Sequence, residues 1–293
     1  MIGESDEKKC PTFLYVGAGK GGSSWMYEIM REHPQVFVPE AKDIMFFDRY
    51  YDKGINWYLG LFSGATQEKA IGELSHDYFL SEQVACRIFE HFPCVKIIFC
   101  LREGVDRTFS EYLYDRTLLQ FIGHREYTQG MTFEAFARIP DIVHRGDYYN
   151  NMKPFYDLFP RKNIAVFFYD DIEKTPELFA RHLYEFLEVD TEFQPDSLHK
   201  RVNAARESRC AILANLAYIV GRKVRQLGHP NIVGGIKRLG WFEKLLYRTY
   251  KDEKEKPRIS SDVIQRLRLT YHKDYNKLTE LIGKPLPEDW FKI

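Results

Sequence analysis

Residues 12–25 read TFLYVGAGKGGSSW, an apolar β-type run that breaks into a glycine-rich turn with one lysine and two hydroxyls and then enters a helix. That is the form of a phosphate-binding loop. Glycines let the backbone curl with positive φ and bring several N–H groups to one anion, and the start of the next helix adds a favourable dipole. Lys20 supplies a mobile positive charge, and Ser23 and Ser24 supply hydroxyl donors. A nucleotide triphosphatase loop, G-x-x-x-x-G-K-[ST], sets its magnesium-holding hydroxyl directly after the lysine. Here Gly21 and Gly22 separate Lys20 from Ser23. The spacing predicts a cradle for a phosphate-like group without the usual metal hydroxyl.

Working outward, Ser24–His33 reads as a helix, HPQVFVP as an extended piece, and Ala70–Leu74 as a short strand ending in Ser75-His76-Asp77-Tyr78. Helical patterns cover Gly54–Phe62 and Ser81–Phe92. CVKIIFCLR is the strongest buried strand, an apolar run closed by Arg102, with a helix over Val105–Leu119 after it. The polar stretch Gln120–Arg145 is the candidate lid or acceptor-binding insert. Asp147–Phe159 is helical, NIAVFFYDDI a further strand, and Pro176–Leu187 a further helix. This alternation predicts an α/β fold with a central, mainly parallel sheet flanked by helices. Ligands of such sheets lie beyond the carboxyl ends of the strands, where the Lys20 loop, His76 and Arg102 all fall. Beyond Phe193 come the basic segment HKRVNAARESR and helices over Ala211–Leu227 and Ser261–Ile282.

The 293 residues are 44% apolar, enough for a large core, and no linker-like stretch divides them. One domain is expected over 1–293, with its core at about 12–190 and a helical C-terminal part at about 194–293. The 42 basic and 42 acidic side chains balance, which argues against nucleic acid or an anionic membrane as partner and leaves any anion to a local cluster. No long apolar span and no secretory layout at MIGESDEKKC point to a soluble, cytoplasmic protein. Five cysteines without a C-x-x-C pair give no zinc or disulfide framework, and Cys100 reads as a buried thiol.

Arg102 and Ser110 stand where a strand end and the second turn of the next helix can both reach a second phosphate. The plainer alternative pairs Arg102 with Asp106 or Glu103. Together with the lysine loop, these residues resemble the sulfotransferases that use 3′-phosphoadenosine 5′-phosphosulfate (PAPS). YVGAGKGGSSW looks like their 5′-phosphosulfate loop, and LREGVDRTFSEY like their 3′-phosphate motif. HPQVFVPEAKDIMFFD, GELSHDYF, GDYYNNMKPFYDLFP and NIAVFFYDDIEKTPELFARHLYEFLEVD follow the bacterial branch related to heparan sulfate sulfotransferases. The likeness covers roughly Thr12–Asp190.

The resemblance implies a P-loop-like fold, PAPS as donor, its product PAP, and no metal. It implies that Lys20, the backbone of Gly21, Gly22, Ser23 and Ser24, and Trp25 form the 5′ side of the nucleotide site. Arg102 and Ser110 would hold the 3′-phosphate, and Arg206, Ser208 and Arg209 match a late loop that closes over the nucleotide, unless they are a solvated basic turn. The relatives' base stands in E-x-H-F-F-D, where this chain has Asp43-Ile44-Met45-Phe46-Phe47-Asp48, and Leu74 replaces a lysine of theirs. An acceptor hydroxyl needs a proton acceptor within hydrogen-bond reach. His76, oriented by Asp77 or Glu73, and Asp43 are both candidates. Acceptor walls are expected from Met45, Phe46, Phe47, Tyr78, Tyr112, Tyr114 and Phe121, for a small-molecule or sugar acceptor. Asp170-Asp171 reads as the start of a helical turn rather than a magnesium site. The rivals are a P-loop kinase or triphosphatase and a non-catalytic nucleotide binder.

Overall fold

The apolar run ahead of the glycine turn forms β1, Phe13–Gly17, buried along its whole length. The computed structural model describes residues 10–117, 131–200, 206–208, 211–238, 247–249, 257 and 259–291. Further strands are β2 (Val36–Phe37), β3 (Ala70–Leu74), β4 (Lys96–Leu101) and β5 (Ile164–Phe168), all parallel to their neighbours in the order β2-β3-β1-β4-β5. Such a sheet carries helices on its faces and so reads as continuous apolar runs. Alternate residues serve opposite faces. Phe13, Tyr15, Ile98 and Cys100 join a core with Trp25, Met26, Ile29 and Met30 of the helix Ser23–Glu32 and Phe179, Leu183 and Leu187 of the helix Pro176–Leu187. On the other face Phe99 meets Phe155 edge to face, with ring centroids 5.4 Å apart.

The chain divides into two compact units, one of residues 1–102 and 150–202, the other of 103–149 and 203–293. The first holds the five-stranded sheet. The segment 103–149 thus groups with the C-terminal helices.

In the second unit the helix Gly104–Thr117 is central. Arg107, 1% exposed, pairs with Glu111 and donates to the Ile142 carbonyl at 2.9 Å. The Tyr271 ring fills the space where a Cβ on Gly104 or Gly146 would sit, and its hydroxyl meets Thr108 Oγ1 at 2.8 Å. Strands β6 (Arg206–Ser208) and β7 (Tyr247–Thr249) make an antiparallel ribbon, and β6 runs beside the helix Gly104–Thr117. The part of the expected lid that is described folds as two short helices, Phe133–Phe136 and Pro140–His144. Phe133 and Phe136 are buried and pack on Tyr112.

Candidate functional site

The strands that precede the Lys20 loop, His76 and Arg102 are β1, β3 and β4, three neighbours in one sheet with their carboxyl ends on one side. The loop is stitched to β4: Ala18 N–H donates to the Cys100 carbonyl at 3.1 Å, and Gly21 N–H to the Ala18 carbonyl at 3.1 Å. Lys20 sits in the left-handed region with φ 69°, and Gly22, the residue before the helix Ser23–Glu32, has φ 92°. A Cβ on Gly21 would lie 2.0 Å from the Cys100 carbonyl oxygen. The glycines are therefore required by close approach and by positive φ. What they leave is a backbone cradle at a helix start beside a partly exposed lysine, a fit for an anionic phosphate.

His76 faces this loop: a Cβ on Gly19 would lie 3.0 Å from His76 Cδ2. Its Nδ1 is 2.6 Å from Asp43 Oδ1, and Lys42 Nζ reaches Asp43 Oδ2 at 3.0 Å. Asp43 has φ 60° and donates its N–H to the Leu74 carbonyl at 2.9 Å, which ties it to the end of β3. Burial acts to raise the Asp43 pKa, but the charges of His76 and Lys42 and their hydrogen bonds outweigh it and hold the carboxyl well below the usual range. An ionised carboxylate only accepts, so His76 Nδ1 donates to Asp43, and Nε2 is the ring nitrogen that Asp43 does not engage. Nε2 is 3.6 Å from Asp77 Oδ1, and Arg49 donates to Asp77 Oδ2 at 2.9 Å. Asp43 and Asp77 thus flank the imidazole. Glu73, the other expected orienter of His76, points elsewhere.

Glu73 is 1% exposed and accepts from Ser75 Oγ and from Tyr78 OH, each at 2.7 Å. Those hydroxyls in turn accept the backbone N–H of Met45 at 3.0 Å and of Phe46 at 2.8 Å. One buried carboxylate therefore fixes the turn that carries Asp43. Burial pushes its pKa up to about 7, against the lowering pull of the two hydroxyls. The folded state then holds this proton more tightly than the unfolded chain, so the contribution of Glu73 to stability falls as pH rises from about 4.5 to about 7 and is flat above. Urea unfolding of Glu73→Gln is expected to lose that slope, on the order of 3 kcal/mol across the window. Equal pH dependence in the variant and the parent would contradict it.

Several expected acceptor walls are packing residues instead. Phe46, Phe47 and Tyr78 are each 0% exposed and have no surface for an acceptor to touch. Phe46 stacks on Tyr58 at 4.5 Å, and Phe47 meets Tyr58 and Tyr78 edge to face. Met45 is also buried, with φ 57° at the foot of the turn. Trp25 is similarly withdrawn: its indole N–H donates to the Leu198 carbonyl at 3.0 Å and its ring packs on Phe179. Tyr112 is buried and donates to the Met131 carbonyl at 2.8 Å, whereas Tyr114 is exposed. Phe121 and Arg209 lie outside the described residues, as do the side chains of Arg206 and Ser208.

The Arg102 guanidinium lies over the Tyr169 ring, 4.2 Å from its centroid, a cation–π contact. The same ring borders Gly22, where a Cβ would lie 3.3 Å from Tyr169 Cδ2. Arg102 is thereby held beside the glycine loop through Tyr169, which sequence reading passed over as the end of a strand. The other proposed 3′-phosphate ligand, Ser110, is partly exposed on the helix Gly104–Thr117 in the second unit, along which the β6 backbone of Arg206–Ser208 runs. Glu103 accepts the Asp106 N–H at 2.8 Å and so serves the start of that helix. Asp170 and Asp171 fall in the first turn of the helix Tyr169–Lys174, and no group of three or more metal-ligating side chains occurs among the described residues.

Comparison with known proteins gives a concordant picture. Residues 11–238 match the family model described as a sulfotransferase domain. A membrane-associated sulfotransferase, kil1, of Dictyostelium discoideum is 33% identical over 105 residues, 35% of this chain and 22% of that protein. Heparan sulfate glucosamine 3-O-sulfotransferase 6 of Mus musculus is 34% identical over 105 residues, 36% of this chain and 30% of that protein. The matched segments thus span less than a third of these relatives. A sulfotransferase structure from Alicyclobacillus acidocaldarius superposes with a TM-score of 0.68 at 21% identity, over 97% of this chain and 99% of that one, a likeness of P-loop-like fold.

Proposed function

The chain belongs to the sulfotransferase-domain family, and we propose that it moves a sulfuryl group from PAPS to a hydroxyl, with an amine as the second choice of acceptor group, of a small-molecule natural product or glycoside. The observation that carries this reading is the Asp43–His76 pair, 2.6 Å apart, set against Gly19 of the phosphate loop. A proton acceptor and an anion cradle at the carboxyl ends of neighbouring strands are the two things an in-line transfer to a hydroxyl requires.

PAPS, when bound, supplies the sulfuryl group and a phosphate as leaving group. The N–H groups of Gly22–Ser24 line the 5′ side, whereas Gly21 N–H, expected there too, is held by the Ala18 carbonyl within the loop; the Arg102 fork serves the 3′-phosphate, with Ser110 as the hydroxyl of the same motif. Lys20 offsets the negative charge that grows on the leaving oxygen. His76 takes the acceptor's proton at Nε2, and Asp43 is a positioning residue. A carboxylate whose pKa is held so low is a feeble base, which favours the imidazole over Asp43 for this task. As His76 becomes cationic, Asp43 and Asp77 on its two sides stabilise it.

A second reading, transfer to a glycosaminoglycan-type carbohydrate, draws on the heparan sulfate relatives. Calorimetric titration with PAP and with ATP, in the presence of EDTA, tests the donor. Metal-independent binding of PAP and feeble binding of ATP are expected, and the reverse order would overturn the proposal in favour of a kinase-like protein. Turnover across sugar and phenolic acceptors then separates the enzyme from a mere nucleotide binder.

A further inference from the structure

Residues 208–242 contain six Lys or Arg and no Asp or Glu, in a chain whose charges otherwise balance at 42 and 42. Net neutrality argues against an anionic surface as partner, but here it is locally reversed. The stretch includes two helices, Ala211–Gln226 and Pro230–Arg238, that pack where Gly221 faces Val233. Away from that contact, large apolar side chains stand in solvent. Leu216, Val220 and Leu227 occupy i, i+4 and i+11, within about 40° of one another on a helix of 100° per residue. Val220 is 59% and Leu227 75% exposed, and Ile232 and Ile236 repeat the i, i+4 pattern on the second helix. Lys223, also exposed, stands on the leucine face.

We propose that this helical hairpin docks on an anionic lipid surface, lying in the interface with its leucine, valine and isoleucine side chains in the acyl boundary. Exposed apolar stripes beside cations on short helices are the make-up of an interfacial anchor. Neither helix is long and apolar enough to cross a bilayer, so the contact is peripheral. The charge pattern selects this occupant over two others. A symmetric contact with a second copy would set the same cations against themselves. An acidic macromolecule would satisfy the cations but has no use for the apolar stripes.

Co-sedimentation with vesicles of phosphatidylcholine, alone or mixed with phosphatidylglycerol, tests the docking without reference to catalysis. Binding is expected to the mixed vesicles and to weaken at high salt. Lys223→Glu should weaken it about fivefold or more, the factor carried by a single basic residue near such a surface. Val220→Asp with Leu227→Asp should weaken it about tenfold or more through lost apolar insertion. Circular dichroism checks that the fold persists, and Ile232→Asp on the other helix gives an independent apolar test. No binding, equal binding to neutral vesicles, or binding indifferent to the apolar variants would overturn the proposal. So would light scattering that finds a dimer dissolved by Leu227→Asp, since a second copy then covers the face.

Discussion

Lys20→Ala is expected to lower the single-turnover rate at saturating PAPS by roughly 10²- to 10³-fold, the usual loss when one preorganised donor to a developing charge is removed. The lysine's backbone is set before any ligand arrives: φ at Lys20 is 69°, Gly22 follows at 92°, and Ala18 is bonded to β4. An ammonium carried on such a turn needs little reorganisation as charge moves to the leaving oxygen. Lys20→Arg keeps the charge but replaces a compact point with a planar fork, and should restore only part of the rate. PAP affinity is expected to fall less than the rate does, because the backbone cradle and Arg102 remain. If Lys20→Ala weakens PAP binding and leaves the saturated rate intact, the lysine only binds.

The elements that position this loop were legible because their signals are local. CVKIIFCLR and NIAVFFYDDI are apolar runs too continuous for a one-sided strand, and both supply strands of the parallel sheet, β4 within it and β5 at its edge, the latter ending at Phe168 where the helix Tyr169–Lys174 begins. The glycine loop was legible for the same reason, since close approach and positive φ leave few residue choices. Contacts between distant segments were not. His76 and Asp43 are 33 residues apart, and nothing in the spacing says that the carboxylate reaches Nδ1 while Glu73, nearer in sequence, turns inward. The aromatic run Phe46-Phe47 reads equally as pocket wall or core, and Tyr78 closes it into core by bonding Glu73. Lys42 gave no signal beyond being a charge next to Asp43, although its ammonium is part of what keeps that carboxylate ionised.

His76→Ala should reduce the single-turnover rate by roughly 10²- to 10⁴-fold, the range of general base catalysis, with PAP affinity unchanged. Asp43→Asn is the more discriminating variant. An amide can donate to Nδ1, which draws the imidazole into the tautomer with its proton on Nε2, the atom that must receive the acceptor's proton. A loss of about 10²-fold or more is therefore expected without loss of the fold. Combining the two substitutions should cost little beyond His76→Ala alone, because Asp43 acts through the imidazole. Were Asp43 itself the base, Asp43→Asn would be as severe as the double variant and His76→Ala mild. Near-normal turnover in both single variants would remove the pair from the chemistry, leaving the carboxylate and imidazole as structural partners at the end of β3.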